Sequence, residues 1–129
     1  LHGMICDLGE ALHNDVIITA EFRLVIDPEF VDEAQLRGTS VWGHAGYRLA
    51  EEADDLGLFR PGVDLRRFVG AVGSSLAGQR YLADLTAPGV DVRSRFESCL
   101  EIPLEATASE DWLARWRERG WPSARPNTE

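Results

Sequence analysis

The sequence predicts an all-α protein, a helical bundle of about five to six helices. Apolar residues recur at intervals of three and four along most of the chain, which is the spacing of helices with one buried face. Asp, Gly and Pro, which favour helix starts and ends, separate these segments. The 129 residues are enough for one domain with its own hydrophobic core.

The first two predicted helices occupy the N-terminal part of the chain. The first extends to about His13, and Asn14 or Asp15 is expected to cap the second. The β-branched run at residues 16–19 could equally form a strand, but it has no hairpin partner nearby, which favours a helix. Residues 27–38 are expected to form a connecting loop or a short helical turn.

Thr39 or Ser40 is expected to cap the third helix, and Gly57 to end it. Its predicted apolar stripe consists of Trp42, Ala45, Leu49, Ala53 and Leu56. Four acids lie beside one another in its last turns, namely Glu51, Glu52, Asp54 and Asp55. They could act as paired carboxylates, but such a cluster is more often a solvated helix face.

The fourth and longest helix is expected to run from a cap at Asp64 to about Thr86. One face carries the large apolar residues Leu65, Phe68, Val69, Val72 and Leu76. The opposite face, the small-residue stripe, carries Gly70, Gly73, Ser74, Ala77 and Gly78. A glycine inside a helix costs about 1 kcal/mol relative to alanine, so the stripe indicates close approach of another helix or room for a ligand.

Asp91 is expected to cap a fifth helix, which Pro103 should kink or end. Its apolar residues are Val92, Phe96, Cys99 and Leu100. A final short helix should open at Ser109 and stop before Gly120, and residues 122–129 are expected to be a flexible tail.

Composition narrows the classes of function. There are 22 acidic and 13 basic residues, all of the latter arginine, for a net charge of −9. This charge disfavours contact with nucleic acid, and the lack of lysine excludes Schiff-base chemistry. Without a membrane-spanning stretch or a signal peptide, a cytoplasmic protein is expected. Because the chain begins with Leu1 inside a helical pattern, it is interpreted as part of a longer protein.

The sequence offers few candidates for chemistry. Cys6 and Cys99 lie among helix-period apolar residues and are expected to be buried, reduced thiols. The histidines, His2, His13 and His44, show no recurring ligand set, so neither a metal nor a cofactor is predicted.

The glycine-rich segment 70–78 is similar to two catalytic motifs without matching either. Gln79-Arg80 stands where a phosphate loop needs Lys and Ser or Thr, and the segment is predicted to be helical where a nucleophile elbow needs a strand. Ser75 is therefore interpreted as a packing residue, His44 as a partly exposed helix residue, and the chain as not an enzyme.

Three segments of the chain carry a family resemblance, namely Ala-Glu-Phe-Arg-Leu at residues 20–24, Trp42 opening a helix, and Leu-Phe-Arg-Pro-Gly-Val-Asp-Leu at 58–65 leading into a helix with Gly78-Gln79. In this order they resemble the ligand-binding half of TetR-family transcriptional repressors, most of all the γ-butyrolactone receptor type of actinobacteria. The similarity covers residues 1–104. Glu21 departs from the glycine that is usual in the family.

The resemblance implies a ligand pocket and a homodimer. The Trp42 indole N–H would donate a hydrogen bond to the carbonyl of a lactone-like effector. The other implied pocket residues are Phe22, Ile18, Leu76 and Gln79. The fourth and fifth helices would pair with those of a second subunit through Gly70, Gly73, Ser74, Ala77, Gly78 and Phe96.

The resemblance also implies a mechanism. Residues 1–121 would form the effector-binding and dimerisation domain, and a helix-turn-helix domain, absent from this chain, would contact DNA. A small apolar signalling molecule would release the repressor from its operator by shifting the population of conformations. Two alternatives are a helical dimerisation module without a ligand and an enzyme that uses Ser75 or His44.

Overall fold

Six helices account for most of the part of the chain that the structure describes. A computed structural model describes residues 1–20, 33–85 and 91–121, with the backbone alone for residues 33–39 and 83–85. The helices are α1 (His2–Asn14), α2 (residues 16–20), α3 (Glu33–Asp55), α4 (Leu65–Leu85), α5 (Val92–Thr107) and α6 (Glu110–Arg119). The predicted all-α fold is confirmed. None of these helices is both long enough and apolar enough to cross a bilayer.

Helix α5 lies at the centre of the bundle, because it packs against both α1 and α4. Helix α4 in turn packs against α3. Phe96 has no exposed surface, and Ile5 and Leu100 are each 1% exposed. The predicted apolar faces of α1, α4 and α5 thus supply most of the core. Its buried members are Ile5, Leu8, Leu12, Ala50, Phe59, Phe68, Val72, Leu76, Val92, Phe96, Cys99 and Leu100.

Two glycines let helix backbones approach each other closely. A Cβ atom on Gly9 of α1 would lie 3.1 Å from the Cα atom of Arg93 on α5. A Cβ atom on Gly46 of α3 would lie 3.3 Å from Cγ1 of Val69 on α4. Both interfaces therefore depend on the absence of a side chain at one position, since interiors are packed without spare room.

The helix caps follow the sequence signals. The carboxylates of Asp15, Asp64 and Asp91 each accept a hydrogen bond from a backbone N–H in the first turn of the helix that follows, at 2.8, 3.0 and 3.2 Å. The chain leaves α3 and α6 through Gly57 and Gly120, with φ of 68° and 70°. Glycine adopts this left-handed conformation without steric cost, so these predicted caps and stops are confirmed.

Helix α3 differs from its prediction in both start and orientation. It begins at Glu33, so the predicted caps Thr39 and Ser40 are interior residues. Ser and Thr inside a helix cost only tenths of a kcal/mol, about 0.5 each, and tertiary packing offsets that. Within residues 40–55, where its side chains are described, the buried residues are Gly46 and Ala50, whereas the expected stripe members Trp42 and Leu56 are exposed. Small residues face α4 because they permit the close approach at Gly46.

Pro103 lies inside α5 and does not end it. Proline lacks the N–H that would bond to the carbonyl one turn earlier, so continuation needs other support. The hydroxyl of Thr107 donates to the Pro103 carbonyl at 2.7 Å, and the Ala108 N–H donates to the Leu104 carbonyl at 2.8 Å. These bonds hold the final turn of the helix.

A short backbone clasp joins residues 58–60 to residues 107–109. The Arg60 N–H donates to the Thr107 carbonyl and the Ser109 N–H to the Leu58 carbonyl, both at 2.8 Å. The Arg60 side chain adds a bond from Nε to the Ala108 carbonyl at 3.0 Å. The clasp fixes the end of α5 against the turn between α3 and α4.

Candidate functional site

An apolar cleft of about 500 Å³ lies between α1 and α3, with α2 at its edge. Its lining consists of Leu1, Gly3, Met4, Asp7, Leu8, Ala11, Ile18, Trp42 and Leu49. Asp7 is the charged member of this lining. Volumes of about 300–1,000 Å³ with mainly apolar walls are typical of sites for small molecules.

Helical periodicity explains why these residues meet. Met4, Leu8 and Ala11 lie three and four residues apart and so share one face of α1. Trp42 and Leu49 lie seven residues apart and share one face of α3, two turns from each other. The cleft is therefore formed by two facing helix stripes.

Trp42 forms part of the cleft wall and is 47% exposed. The expectation that Trp42 belongs to the core-facing stripe of α3 is therefore corrected, because the core face of α3 consists of smaller residues. A half-exposed indole offers a flat apolar surface and one N–H donor. The exposed Asp7 carboxylate offers an acceptor in the same lining.

Of the other predicted pocket residues, Leu76 and Gln79 do not join this lining. Leu76 is 9% exposed and packs in the core, because it continues the face of α4 that carries Phe68 and Val72. Gln79 is half-buried on α4 and outside the cleft lining. Ile18 lines the cleft, and Phe22 falls outside the described residues.

The small-residue stripe of α4 is largely uncovered in the single chain. Gly70, Gly73, Ser74 and Gly78 are exposed and Ala77 is half-buried. Among the residues that the structure describes, nothing lies within 4 Å of a Cβ atom placed on any of the three glycines. This face is therefore available to a second helix.

Phe96 does not belong to the uncovered surface. It has no exposed area and sits in the core between α1 and α4. Its assignment to a dimer interface is corrected, because the centre of α5 is already enclosed on both sides by helices of its own chain.

A polar cluster that the sequence analysis missed joins α1 and α5. His2 Nε2 lies 3.1 Å from Glu97 Oε1, and Cys6 Sγ lies 3.3 Å from both atoms. Burial, together with the neighbouring Glu97 carboxylate, raises the pKa of the Cys6 thiol. The i,i+4 spacing of His2 and Cys6 was the available signal, but Glu97 lies 95 residues from His2 in sequence.

The remaining candidates of the sequence analysis lie on the surface, except for the two cysteines. Ser75 is exposed on α4, so its interpretation as a packing residue is corrected. His44 is exposed, and its Nδ1 donates to the Ser40 carbonyl at 2.7 Å. The four acids at the end of α3 are exposed, as predicted, whereas Cys6 and Cys99 are buried free thiols, also as predicted.

Comparison with known proteins found no matching family model, no matching curated protein and no matching solved structure.

Proposed function

We propose that this chain is the effector-binding and dimerisation domain of a TetR-like transcriptional repressor, with a γ-butyrolactone, a butenolide or a related antibiotic as effector. The observation that carries the proposal is the apolar cleft bordered by Trp42 and Ile18. These are two of the residues to which the resemblance assigns ligand contact. The proposed ligand lies between α1 and α3.

The walls of the cleft define the ligand chemistry in this proposal. Met4, Leu8 and Leu49 would contact an alkyl or ring portion, and each buried methylene contributes about 0.8 kcal/mol. The Trp42 indole N–H would donate to a carbonyl and the Asp7 carboxylate would accept from a hydroxyl. Two additional methylenes should therefore tighten binding by roughly tenfold.

The proposed regulatory step is a change in the relative position of α1 and α3. A ligand that binds between two helices favours conformations in which they are separated enough to admit it. In the full-length repressor, this shift would reach a DNA-binding domain outside this chain and lower operator affinity. The small-residue stripe of α4 would hold two subunits together, so that binding at both half-sites of the operator responds to the ligand.

The test is a fluorescence titration of the purified chain with γ-butyrolactones of increasing alkyl length. A saturable change in tryptophan emission is expected, and Trp42→Phe should remove most of it, although Trp112, Trp116 and Trp121 also emit. Calorimetry of the same titration reports affinity independently of emission.

A matched pair of arginine variants tests the location. Leu49 is half-buried in the cleft wall, so Leu49→Arg should weaken binding by about tenfold or more, since a charge then occupies apolar space. Val41 is 68% exposed and outside the cleft lining, so Val41→Arg should bind as the original chain does. Equal affinity of the two variants would exclude this cleft as the site.

A helical dimerisation module without a ligand is the second candidate. The uncovered glycines of α4 favour it. Gly73→Glu should convert a dimer to monomers in sedimentation velocity, because the carboxylate lies on the stripe. Gly43→Glu, at a helical glycine that likewise has nothing within 4 Å, should remain dimeric. This candidate would be supported if Gly73→Glu were monomeric, if the original chain and Gly43→Glu were dimeric, and if none of the tested compounds bound.

A further inference from the structure

The cluster of His2, Cys6 and Glu97 has the donor set and spacing of a transition-metal site. Nε2, Sγ and Oε1 form a nearly equilateral triangle with sides of 3.1, 3.3 and 3.3 Å. Ligand atoms held about 2.0–2.3 Å from a tetrahedral zinc ion are about 3.3–3.8 Å apart. Small side-chain rotations would therefore suffice to place all three atoms around one ion.

The fold fixes the three donors from two helices. His2 and Cys6 are one turn apart on α1, and Glu97 lies on the facing part of α5. The close contact of Gly9 with Arg93 brings the two backbones together beside the cluster. A metal ion would thus join α1 to α5.

The surroundings orient the donors. The His2 imidazole stacks on the Trp121 indole, with ring centroids 4.0 Å apart and planes 4° from parallel. Cys6 is buried, and the side chains of His2 and Glu97 are 18% and 27% exposed. Partial exposure leaves a path for an ion and a position for water as a fourth ligand.

The balance of charge also suits a divalent ion. A thiolate and a carboxylate together neutralise two positive charges, and imidazole binds in its neutral form. Arg93 Nε lies 3.8 Å from Glu97 Oε1, and the Arg93 guanidinium also interacts with the Cys6 thiol, so a metal ion would take the place of this cation, whose side chain is 46% exposed. Sulfur, nitrogen and oxygen donors in one set are typical of zinc.

We propose that His2, Cys6 and Glu97 bind one zinc ion, with water completing a tetrahedral site. The site lies on the face of α1 opposite to the cleft, because His2 and Cys6 are about half a helical turn from Met4 and Ala11. Zinc binding and effector binding are therefore independent, and a negative result for one does not contradict the other.

The experiment is a titration of the reduced full chain with Co²⁺, which reports thiolate ligation through a charge-transfer band in the near ultraviolet and d–d bands in the visible. One equivalent should bind with both sets of bands, and Zn²⁺ should displace it. Cys6→Ser should lose the charge-transfer band, whereas Cys99→Ser, which changes the other buried thiol, should retain it.

Conservative variants of the other two ligands complete the test. His2→Gln and Glu97→Gln should each weaken Zn²⁺ binding by about tenfold or more in competition with a chromophoric chelator. His13→Gln on α1 and the exposed Glu105→Gln on α5 should bind as the original chain does. Far-UV circular dichroism verifies that each variant is folded.

Two results would overturn the proposal. One is the absence of stoichiometric Co²⁺ binding by the folded, reduced chain. The other is a cobalt spectrum that Cys6→Ser leaves unchanged, since the thiolate would then not be a ligand. In either case the three side chains form a hydrogen-bonded triad that only connects α1 with α5.

Discussion

Replacing Gly9 by alanine should destabilise the protein, although alanine is the better helix former. In the interior of α1, alanine favours the helix by about 1 kcal/mol relative to glycine. The added Cβ atom would, however, lie 3.1 Å from the Cα atom of Arg93 and 3.5 Å from its Cβ atom. Because the first contact is with helix backbone, α1 and α5 must move apart, which disturbs the buried side chains of Ile5 and Phe96.

Overpacking of this kind costs about 1–3 kcal/mol, and the backbone contact puts Gly9→Ala toward the upper end. The net destabilisation should be about 1–2 kcal/mol after the gain in helix propensity. Gly43→Ala is the matched control, because Gly43 lies inside α3 with nothing within 4 Å of an added Cβ atom. Gly43→Ala should raise the free energy of unfolding by about 1 kcal/mol.

Urea denaturation followed by far-UV circular dichroism, at one protein concentration, measures both variants. With a denaturant slope of about 2 kcal/mol/M, their midpoints should differ by about 1–1.5 M, with Gly9→Ala the lower. An equal rise in both midpoints would refute the inference that the α1–α5 interface depends on a bare backbone at position 9.

Three further predictions concern the core, a cap and a thiol. Phe96→Ala should lower the free energy of unfolding by about 3–5 kcal/mol in urea denaturation, because the residue is fully enclosed; a loss below 1 kcal/mol would contradict this. Asp91→Ala should lower the free energy of unfolding by about 1 kcal/mol, because it removes the hydrogen bond that caps α5, whereas Ser109→Ala should lower it much less, because the Ser109 side chain makes no such bond. Equal losses in the two variants would contradict a stabilising cap at Asp91. Burial raises the pKa of the Cys99 thiol, so the unfolded chain releases that proton at lower pH than the folded chain. The stability that this thiol contributes is present below its unfolded pKa of about 8.5 and is lost as pH rises through the folded value. The original chain should therefore lose more stability than Cys99→Ala at alkaline pH, and parallel pH profiles would contradict the assignment.

Local signals in the sequence predicted most of the fold. The aspartate caps and the glycine stops were identified correctly because each acts through its own backbone within one turn. The start of α3 was predicted wrongly, and of the two outcomes expected at Pro103, a kink or an end of the helix, the end is excluded. Both depend on contacts with other helices and on hydrogen bonds such as that from Thr107, which no local pattern contains.

The candidate sites depended more on tertiary structure. Periodicity placed Leu76 on the large apolar face of α4, and this face meets the core, whereas the pocket role that the resemblance implied for Leu76 is wrong. Trp42 and Ile18 line the cleft, and their contact with a ligand stays a prediction. Glu97 was missed because the residues that complete its cluster lie on a helix remote in sequence.

The clasp between residues 58–60 and 107–109 joins the two ends of the segment that contains α4 and α5, so that this segment forms a noncovalently closed ring. The contacts that close the ring are the backbone hydrogen bonds of the clasp and the burial of Phe59 in the core. A single peptide-bond cleavage inside the ring would therefore leave two fragments that each keep one side of the clasp. Such fragments should reassociate when mixed, and this chain is accordingly suited to reconstitution from two separately expressed halves divided between α4 and α5.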